Sequence, residues 1–98
     1  MASSQDYLIY VLELLKEVDG VHYKKMMGEY IIYVNNTIIG GIYDNRFLVK
    51  KCECISHEGY KEEIPYPTGK KMYLIDSENP DYIKRIVEKI YEELTTKR

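Results

Sequence analysis

The chain has 98 residues, of which 45% are hydrophobic and 31% are charged. This length corresponds to one domain, and we expect residues 1–98 to form it. The composition is typical of a folded globular protein and excludes a disordered chain, which would carry fewer apolar residues.

The charges show no basic excess, because 14 Lys and Arg face 16 Asp and Glu and the net charge is −2. Proteins that bind nucleic acid regardless of sequence usually have a basic domain. We therefore expect no direct, sequence-independent binding to nucleic acid. The basic residues nevertheless concentrate in the middle of the chain, since both ends are acidic.

The sequence has no run of about 18 apolar residues, the length that a membrane span needs. A secretory signal peptide has basic residues before its apolar segment. The first six residues contain no basic group ahead of the apolar run that follows, so we expect no secretory signal here. We expect a cytoplasmic protein with no membrane association. Cys52 and Cys54 are too few for a disulfide scaffold, and reduced thiols are expected.

The N-terminal segment predicts an amphipathic helix. Ser3 or Ser4 can cap its start, and apolar residues from Tyr7 to Val18 recur at steps of three and four. Gly20 is expected to end it.

The segment from Val21 to Lys51 predicts a four-stranded meander, because it is rich in Val, Ile and Tyr. Turns are expected at Gly28-Glu29, Asn35-Asn36 and Asp44-Asn45, the last two as two-residue type I′ hairpins. The pair Gly40-Gly41 predicts a bulge, a bend or the close approach of another backbone.

The remaining segments complete an α+β fold. We expect an irregular connection over 55–71, a short fifth strand over Met72–Ile75, and a last helix with Asn79 as cap and Pro80 at its first position. The predicted architecture has two layers, with an antiparallel meander of about five strands and both helices packed on one face.

Cys52, Cys54 and His57 are the residues that could hold a metal. On a strand the two cysteines would point to the same face, and His57 follows three residues later. A closed zinc site needs four ligands, so the simpler interpretation is a pair of reduced, partly buried thiols. A small ligand-binding or metal-sensing domain that uses these three residues stays open as the alternative function.

We find no complete catalytic motif in the sequence. Residues 67–71 resemble a phosphate loop only superficially, since Ile64 stands at the place of the required first glycine and Lys71 at that of the Ser or Thr. No convergent acid and base set is recognisable. We therefore expect a protein that is not an enzyme and has no cofactor.

The strand around Tyr30 predicts a sheet with two apolar faces. Tyr30 and Ile32 alternate with Ile31 and Tyr33, whereas two helices can cover only one face of a sheet. A symmetric homodimer is the commonest way to cover the second face. The alternative is that the segment 55–71 folds back over it and leaves a monomer.

Basic pairs flank the predicted strands and could form a cationic rim for an acidic partner. The pairs are Lys24-Lys25, Lys50-Lys51 and Lys70-Lys71. The simpler interpretation is that they solvate and protect strand ends. The candidate partner-binding residues are Tyr30, Tyr33, Lys50, Lys51, Lys70 and Lys71.

Four segments together resemble the N-terminal domain of the TfoX (Sxy) competence regulators. They are KMMGEYIIYVNN at 25–36, IYDNRFLVK at 42–50, PYPTGKKM at 65–72 and the Asn79-Pro80 start of the last helix. The shared features are a Met-x-Gly turn, an Asp-Asn hairpin, a strand that ends in Lys, and Tyr-Pro-x-Gly-Lys-x-Met before the last strand. The family typically has Met-Phe-Gly-Gly where this chain has Met26-Met27-Gly28-Glu29.

The resemblance implies a two-layer α/β domain with its helices on one face of an antiparallel sheet. The resemblance implies that family members with known roles are regulatory co-activators of DNA-uptake genes that carry a second, C-terminal domain, and we expect this chain to correspond to the N-terminal module alone. The function expected from the resemblance is a non-enzymatic cytoplasmic regulatory or adaptor module that acts by protein–protein interaction in the transcriptional regulation of competence.

Overall fold

The structure, a computed structural model, describes residues 3–96, so both ends of the predicted domain 1–98 lie outside the described residues. The chain forms two α-helices, six strands and one 3₁₀ helix in this range. In chain order the elements are α1 Gln5–Leu14, β1 Val21–Met26, β2 Glu29–Val34, β3 Thr37–Ile42, β4 Phe47–Val49, the 3₁₀ helix Glu53–Glu58, β5 Glu62–Glu63, β6 Met72–Leu74 and α2 Pro80–Thr96.

Helix α1 begins where the sequence predicts and ends earlier. Ser4 is the N-cap, and its hydroxyl accepts a hydrogen bond from the Tyr7 backbone. The α-helix stops at Leu14, and the chain continues in tighter turns, one of which joins the Val18 N–H to the Leu15 carbonyl. Leu15 and Val18 stay buried in these turns, so the apolar spacing continues beyond the helix end and does not mark it.

The strands form one antiparallel sheet in the order β1-β2-β3-β4-β6-β5. The predicted meander is confirmed, with one turn displaced: Met26 pairs with Glu29, so Met27-Gly28 makes the first turn instead of Gly28-Glu29. Asp44 and Asn45 have φ of 54° and 56°, as a type I′ hairpin requires. In the pair Asn35-Asn36 the structure gives positive φ to Asn35 alone, which does not fit type I′.

Gly40 lies where β3 is irregular and crowded, as the glycine pair predicts. The register between β2 and β3 shifts at Ile32 and Tyr33, which places a bulge there. A Cβ on Gly40 would lie 2.3 Å from the Leu48 carbonyl oxygen. The backbones of β3 and β4 can therefore approach only because this residue has no side chain.

The segment after β4 is more ordered than the sequence predicts. The prediction of an irregular connection over 55–71 is wrong for residues 55–58, which belong to the 3₁₀ helix Glu53–Glu58, and for Glu62–Glu63, which forms the sixth strand, β5. Two glutamates have low strand propensity, and β5 exists because β6 supplies its hydrogen-bonding partner.

Both helices pack on one face of the sheet, and the predicted α+β architecture is confirmed. The Asn79 side chain accepts hydrogen bonds from the backbone of Asp81 and Tyr82, so it caps α2 as expected. The core contains side chains of α1, of α2 and of alternate strand positions: Leu8, Val11, Tyr30, Ile32, Ile42, Phe47, Val49, Ile83, Ile86 and Ile90. No helix within 3–96 has the length and apolar character needed to cross a membrane.

Candidate functional site

The second face of the sheet points away from the helices and is covered only in part. We call it the open face and define it by His22, Ile31, Tyr33, Ile38 and Leu48. Ile31 and Tyr33 are half-buried there, and the rings of His22 and Tyr33 stack with centroids 5.0 Å apart.

The structure separates two tyrosines that the sequence groups as partner-binding candidates. Tyr33 lies on the open face, whereas Tyr30 lies under the helices and is 5% exposed. The cause is the two-residue period of a strand, which sends Tyr30 and Ile32 to one face and Ile31 and Tyr33 to the other. Tyr30 is therefore a core residue, and it does not reach a partner on the open face.

A segment that we call the strap, residues 64–71, folds back over part of the open face. Leu48 pairs with Gly41 and lies outside the helix-side core, yet it is fully buried. Pro65 of the strap is also buried, and the Tyr66 ring lies 6.2 Å from the Tyr43 ring. The C-terminal half of the segment 55–71 thus lies against the part of this face next to β3 and Tyr43, and the monomer that the sequence alternative couples to such a fold-back stays a prediction.

The strap is shaped by a turn from Tyr66 to Gly69. The Gly69 N–H donates a hydrogen bond of 2.8 Å to the Tyr66 carbonyl oxygen, and Pro67 occupies the second position, which its fixed φ favours. A Cβ on Gly69 would lie 2.9 Å from the Pro65 ring, so glycine allows the turn to close against Pro65.

Four lysines line a cavity of about 590 Å³ on one side of the strap, and we call this cavity the lysine groove. They are Lys50, Lys51, Lys70 and Lys71, so the structure brings together two of the three basic pairs. Lys24 and Lys25 lie on β1 and do not line it. Ile38 and Thr68 also line the groove, and no Asp or Glu is among its described lining residues.

The four lysines differ in their ion pairs. Glu62 of β5 lies 3.3 Å from the Lys51 ammonium and 4.0 Å from that of Lys71. Within residues 3–96, no carboxylate lies within 4.0 Å of the ammonium of Lys50 or Lys70. Two of the four charges are therefore available to an anionic ligand without breaking an ion pair.

An apolar cavity of about 600 Å³ lies on the other side of the strap, and we call it the methionine cleft. Met26, Met27 and Ile31 form one wall, and Met27 is 97% exposed. Sequence reasoning missed both methionines as binding residues. The available signal was a pair of large apolar side chains at a hairpin turn, where polar residues are usual.

Glu29 is the one carboxylate among the described residues that line the methionine cleft, and it already has partners. It accepts hydrogen bonds from the backbone and hydroxyl of Ser3, the latter at 2.6 Å, and from the Asp44 backbone. The carboxylate thereby ties the start of α1 to the β3–β4 hairpin.

The lysine groove and the methionine cleft share one wall. Tyr43, Pro65 and Tyr66 line both cavities and form a ridge between them, of which Tyr66 is 54% exposed. The two cavities are thus adjacent halves of one surface, one cationic and the other apolar.

Cys52, Cys54 and His57 lie elsewhere, beside α2. The strand expected here is absent, because β4 ends at Val49 and the chain enters the 3₁₀ helix, so the two cysteines do not share a strand face. Cys52 is buried, whereas the His57 side chain is 67% exposed and lies 3.3 Å from the Glu58 carboxylate. No cluster of three or more His, Cys, Asp or Glu in the described part of the chain could hold a metal ion.

The surroundings of the two cysteines keep them as thiols. Burial, followed by the neighbouring Glu93 carboxylate, raises the pKa of Cys52 and that of Cys54 to about 11. The Cys54 thiol donates to the Lys89 carbonyl oxygen at 3.5 Å. This arrangement opposes the thiolate form that metal binding and nucleophilic catalysis need.

Comparison with known proteins identifies a relative of this chain. No family model matches the chain. The chain is similar to a protein of Spirochaeta aurantia described as an uncharacterized 12.7 kDa protein in the trpE 5′ region, with 31% identity over 78 residues. The match covers 78% of this chain and 68% of that protein.

Proposed function

This chain belongs to the family of the uncharacterized 12.7 kDa protein of Spirochaeta aurantia, and we propose that it is a non-enzymatic regulatory or adaptor module that acts by binding another protein. The observation that carries the proposal is the open face, where a cationic cavity and an apolar cavity adjoin across the ridge. Apolar surface next to charge on a small domain is typical of a protein interaction site.

The sequence resemblance to the TfoX N-terminal domain supports a regulatory setting. We propose a cytoplasmic module with a partner in the transcriptional regulation of competence. In this role the helical layer supplies stability, since its apolar residues are buried in the core, and the opposite layer supplies the contact surface.

Site-specific photo-crosslinking in the native cytoplasm tests the proposal. A benzoylphenylalanine placed at Met27, which is 97% exposed beside the methionine cleft, should crosslink to a defined protein partner. The same group placed at Ile9, which is 58% exposed on α1, is the matched control and should not. Equal crosslinking from both positions, or no protein adduct from Met27, would contradict an adaptor that uses this face.

A further inference from the structure

The occupant of the open face can be specified by its chemistry. We propose that the lysine groove and the methionine cleft together bind one acidic protein segment that also carries large apolar side chains. This inference rests on the proposed function and adds the class of partner.

The positive charge of the lysine groove is the reason to expect acidic residues in one part of the bound segment. Four ammonium groups line it, and those of Lys50 and Lys70 lie more than 4.0 Å from any carboxylate of residues 3–96. Opposite charge guides such a segment to the groove and fixes its direction.

The apolar lining of the methionine cleft is the reason to expect large apolar side chains in the other part of the segment. Met26, Met27 and Ile31 offer unbranched and branched aliphatic surface, and the Tyr66 ring adds an aromatic wall. Methionine adapts to differently shaped apolar side chains and is common at surfaces that bind peptides. Leucine or phenylalanine of the segment would therefore fill the cleft while its carboxylates lie beyond the ridge.

A second copy of this chain is a poor occupant. An isologous dimer with its axis through the lysine groove would bring the two sets of four lysines together. One with its axis through the ridge would lay the lysines of each protomer on the methionine cleft of the other, where no free carboxylate among the described lining residues pairs with them. Like charges across an interface oppose association. The charge pattern thus favours a partner with an acidic surface over self-association through the groove.

A nucleic-acid strand also fits the surface poorly. It carries a phosphate at every nucleotide, so a strand that crossed the ridge would lay phosphates on an apolar cleft beside the Glu29 carboxylate. The combination of charge on one side and methionine on the other matches an amphipathic protein segment instead.

The test is fluorescence anisotropy with a labelled peptide of about a dozen residues that has glutamates in one half and leucine and phenylalanine in the other. We expect micromolar affinity at low salt. The double variant Lys50→Glu with Lys70→Glu should weaken binding by at least ~10-fold, because it reverses both unpaired charges. Lys50→Arg with Lys70→Arg keeps the charge and should retain binding.

The matched control is Lys25→Glu with Lys84→Glu, which makes the same change in net charge on residues that line neither cavity. It should leave the affinity within about twofold if local contacts and not net charge decide. Met27→Ser should weaken the peptide with apolar residues and should not affect a peptide in which these are serines. Circular dichroism verifies the fold of each variant.

Three results would overturn the inference. The first is an equal loss of peptide affinity in the two charge-reversed double variants. The second is equal affinity for the peptides with and without apolar residues, and the third is tighter binding of a single-stranded oligonucleotide that has the same charge as the peptide. If the peptide fails while Met27 still crosslinks to a protein, the partner class is wrong and the adaptor function stands. If the crosslink also fails, both proposals fall.

Discussion

The environment of Cys52 and Cys54 leads to a testable prediction about thiol reactivity at the scale of single residues. Burial and the Glu93 carboxylate raise the pKa of both thiols to about 11. Glu93→Gln removes the negative charge, so it should lower both pKa values and speed alkylation at pH 8. The exposed neighbour Glu92→Gln is the control and should leave the rate unchanged. Equal rates in wild type and Glu93→Gln would refute this account.

The same pKa shifts set the direction of a pH effect on stability. The folded-state pKa lies above the ordinary thiol value of 9.0, so the unfolded chain ionises first as pH rises. The contribution of the thiols to the free energy of unfolding is fully present below about pH 9 and is lost as the pH rises through about 11. Each of the variants Cys52→Ala and Cys54→Ala lacks one of the two thiols. Urea unfolding should show that the free energy of unfolding of each variant falls less between about pH 9 and 11 than that of the wild type.

Metal content is a separate prediction that concerns the same residues. We expect elemental analysis of protein purified without chelator to find far less than one equivalent of zinc, because a closed site needs four ligands and thiolates. One equivalent of zinc that is lost when both Cys52 and Cys54 are changed to serine would establish the metal-sensing alternative.

At the scale of elements, the close approach of β3 and β4 depends on Gly40. In Gly40→Ala the new methyl group would lie 2.3 Å from the Leu48 carbonyl oxygen and 2.8 Å from the Val49 Cα, both of which are backbone atoms. The backbone cannot move aside as a side chain can, so we expect the free energy of unfolding to fall by about 2 kcal/mol or more. Urea denaturation measures this.

The control for that substitution is Lys25→Ala, an exposed strand position in the same sheet. It should change the free energy of unfolding by no more than about 0.5 kcal/mol. If Gly40→Ala were as stable as this control, β3 and β4 could move apart without any loss in the free energy of unfolding, and their close approach would not depend on Gly40.

At the scale of the whole molecule, the strap changes the expected oligomeric state. The homodimer predicted from the sequence stays a prediction, but the strap contacts Tyr43 beside this face, Leu48 on the same face is already buried, and like charges oppose pairing of one lysine groove with another. Of the two outcomes left open by the sequence, we now expect the monomer.

Sedimentation over a wide range of protein concentration measures this, with limited proteolysis as a second readout. A monomer in which thermolysin cuts slowly within 64–71 is expected, because Pro65 is buried in the folded chain. A dimer that dissociates on Tyr33→Glu, with folding retained, would restore the homodimer.

Nucleic-acid binding is the last whole-molecule prediction. The net charge is −2 and two of the four groove lysines are paired with Glu62, so few phosphates can be neutralised. Binding to random duplex DNA at physiological salt should be no tighter than ~10⁻⁴ M. Micromolar binding with a steep dependence on salt would replace the adaptor proposal with direct DNA contact.

The elements with strong local signals could be predicted from the sequence. Ser4 and Asn79 cap their helices, and Asp44-Asn45 makes its hairpin, because each effect needs only neighbours along the chain. The meander and the α+β class follow from hydrophobic periodicity, which reports the burial of alternate positions. The end of α1 could not be read in this way, because Leu15 and Val18 are buried in turns as well as they would be in a helix.

The candidate site was predicted in its residue types but not in its arrangement. The sequence identifies Lys50, Lys51, Lys70 and Lys71 as possible partner contacts, yet two pairs twenty residues apart meet only because the strap returns over β3 and β4. Tyr30 and Tyr33 could be assigned to opposite faces by their spacing. Which face the helices would cover was settled only by packing.

By itself, then, the sequence determined the local elements, the fold class and the charges that a partner would meet, because these depend on short-range spacing and composition. Tertiary structure alone decided that Glu62–Glu63 is a strand, since β6 supplies its hydrogen bonds. It alone also placed a cationic groove beside a methionine cleft, since Pro65 and Tyr66 pack onto the sheet through contacts distant in sequence. Such long-range contacts leave no periodic trace in the chain, and they create the surface on which the proposed function depends.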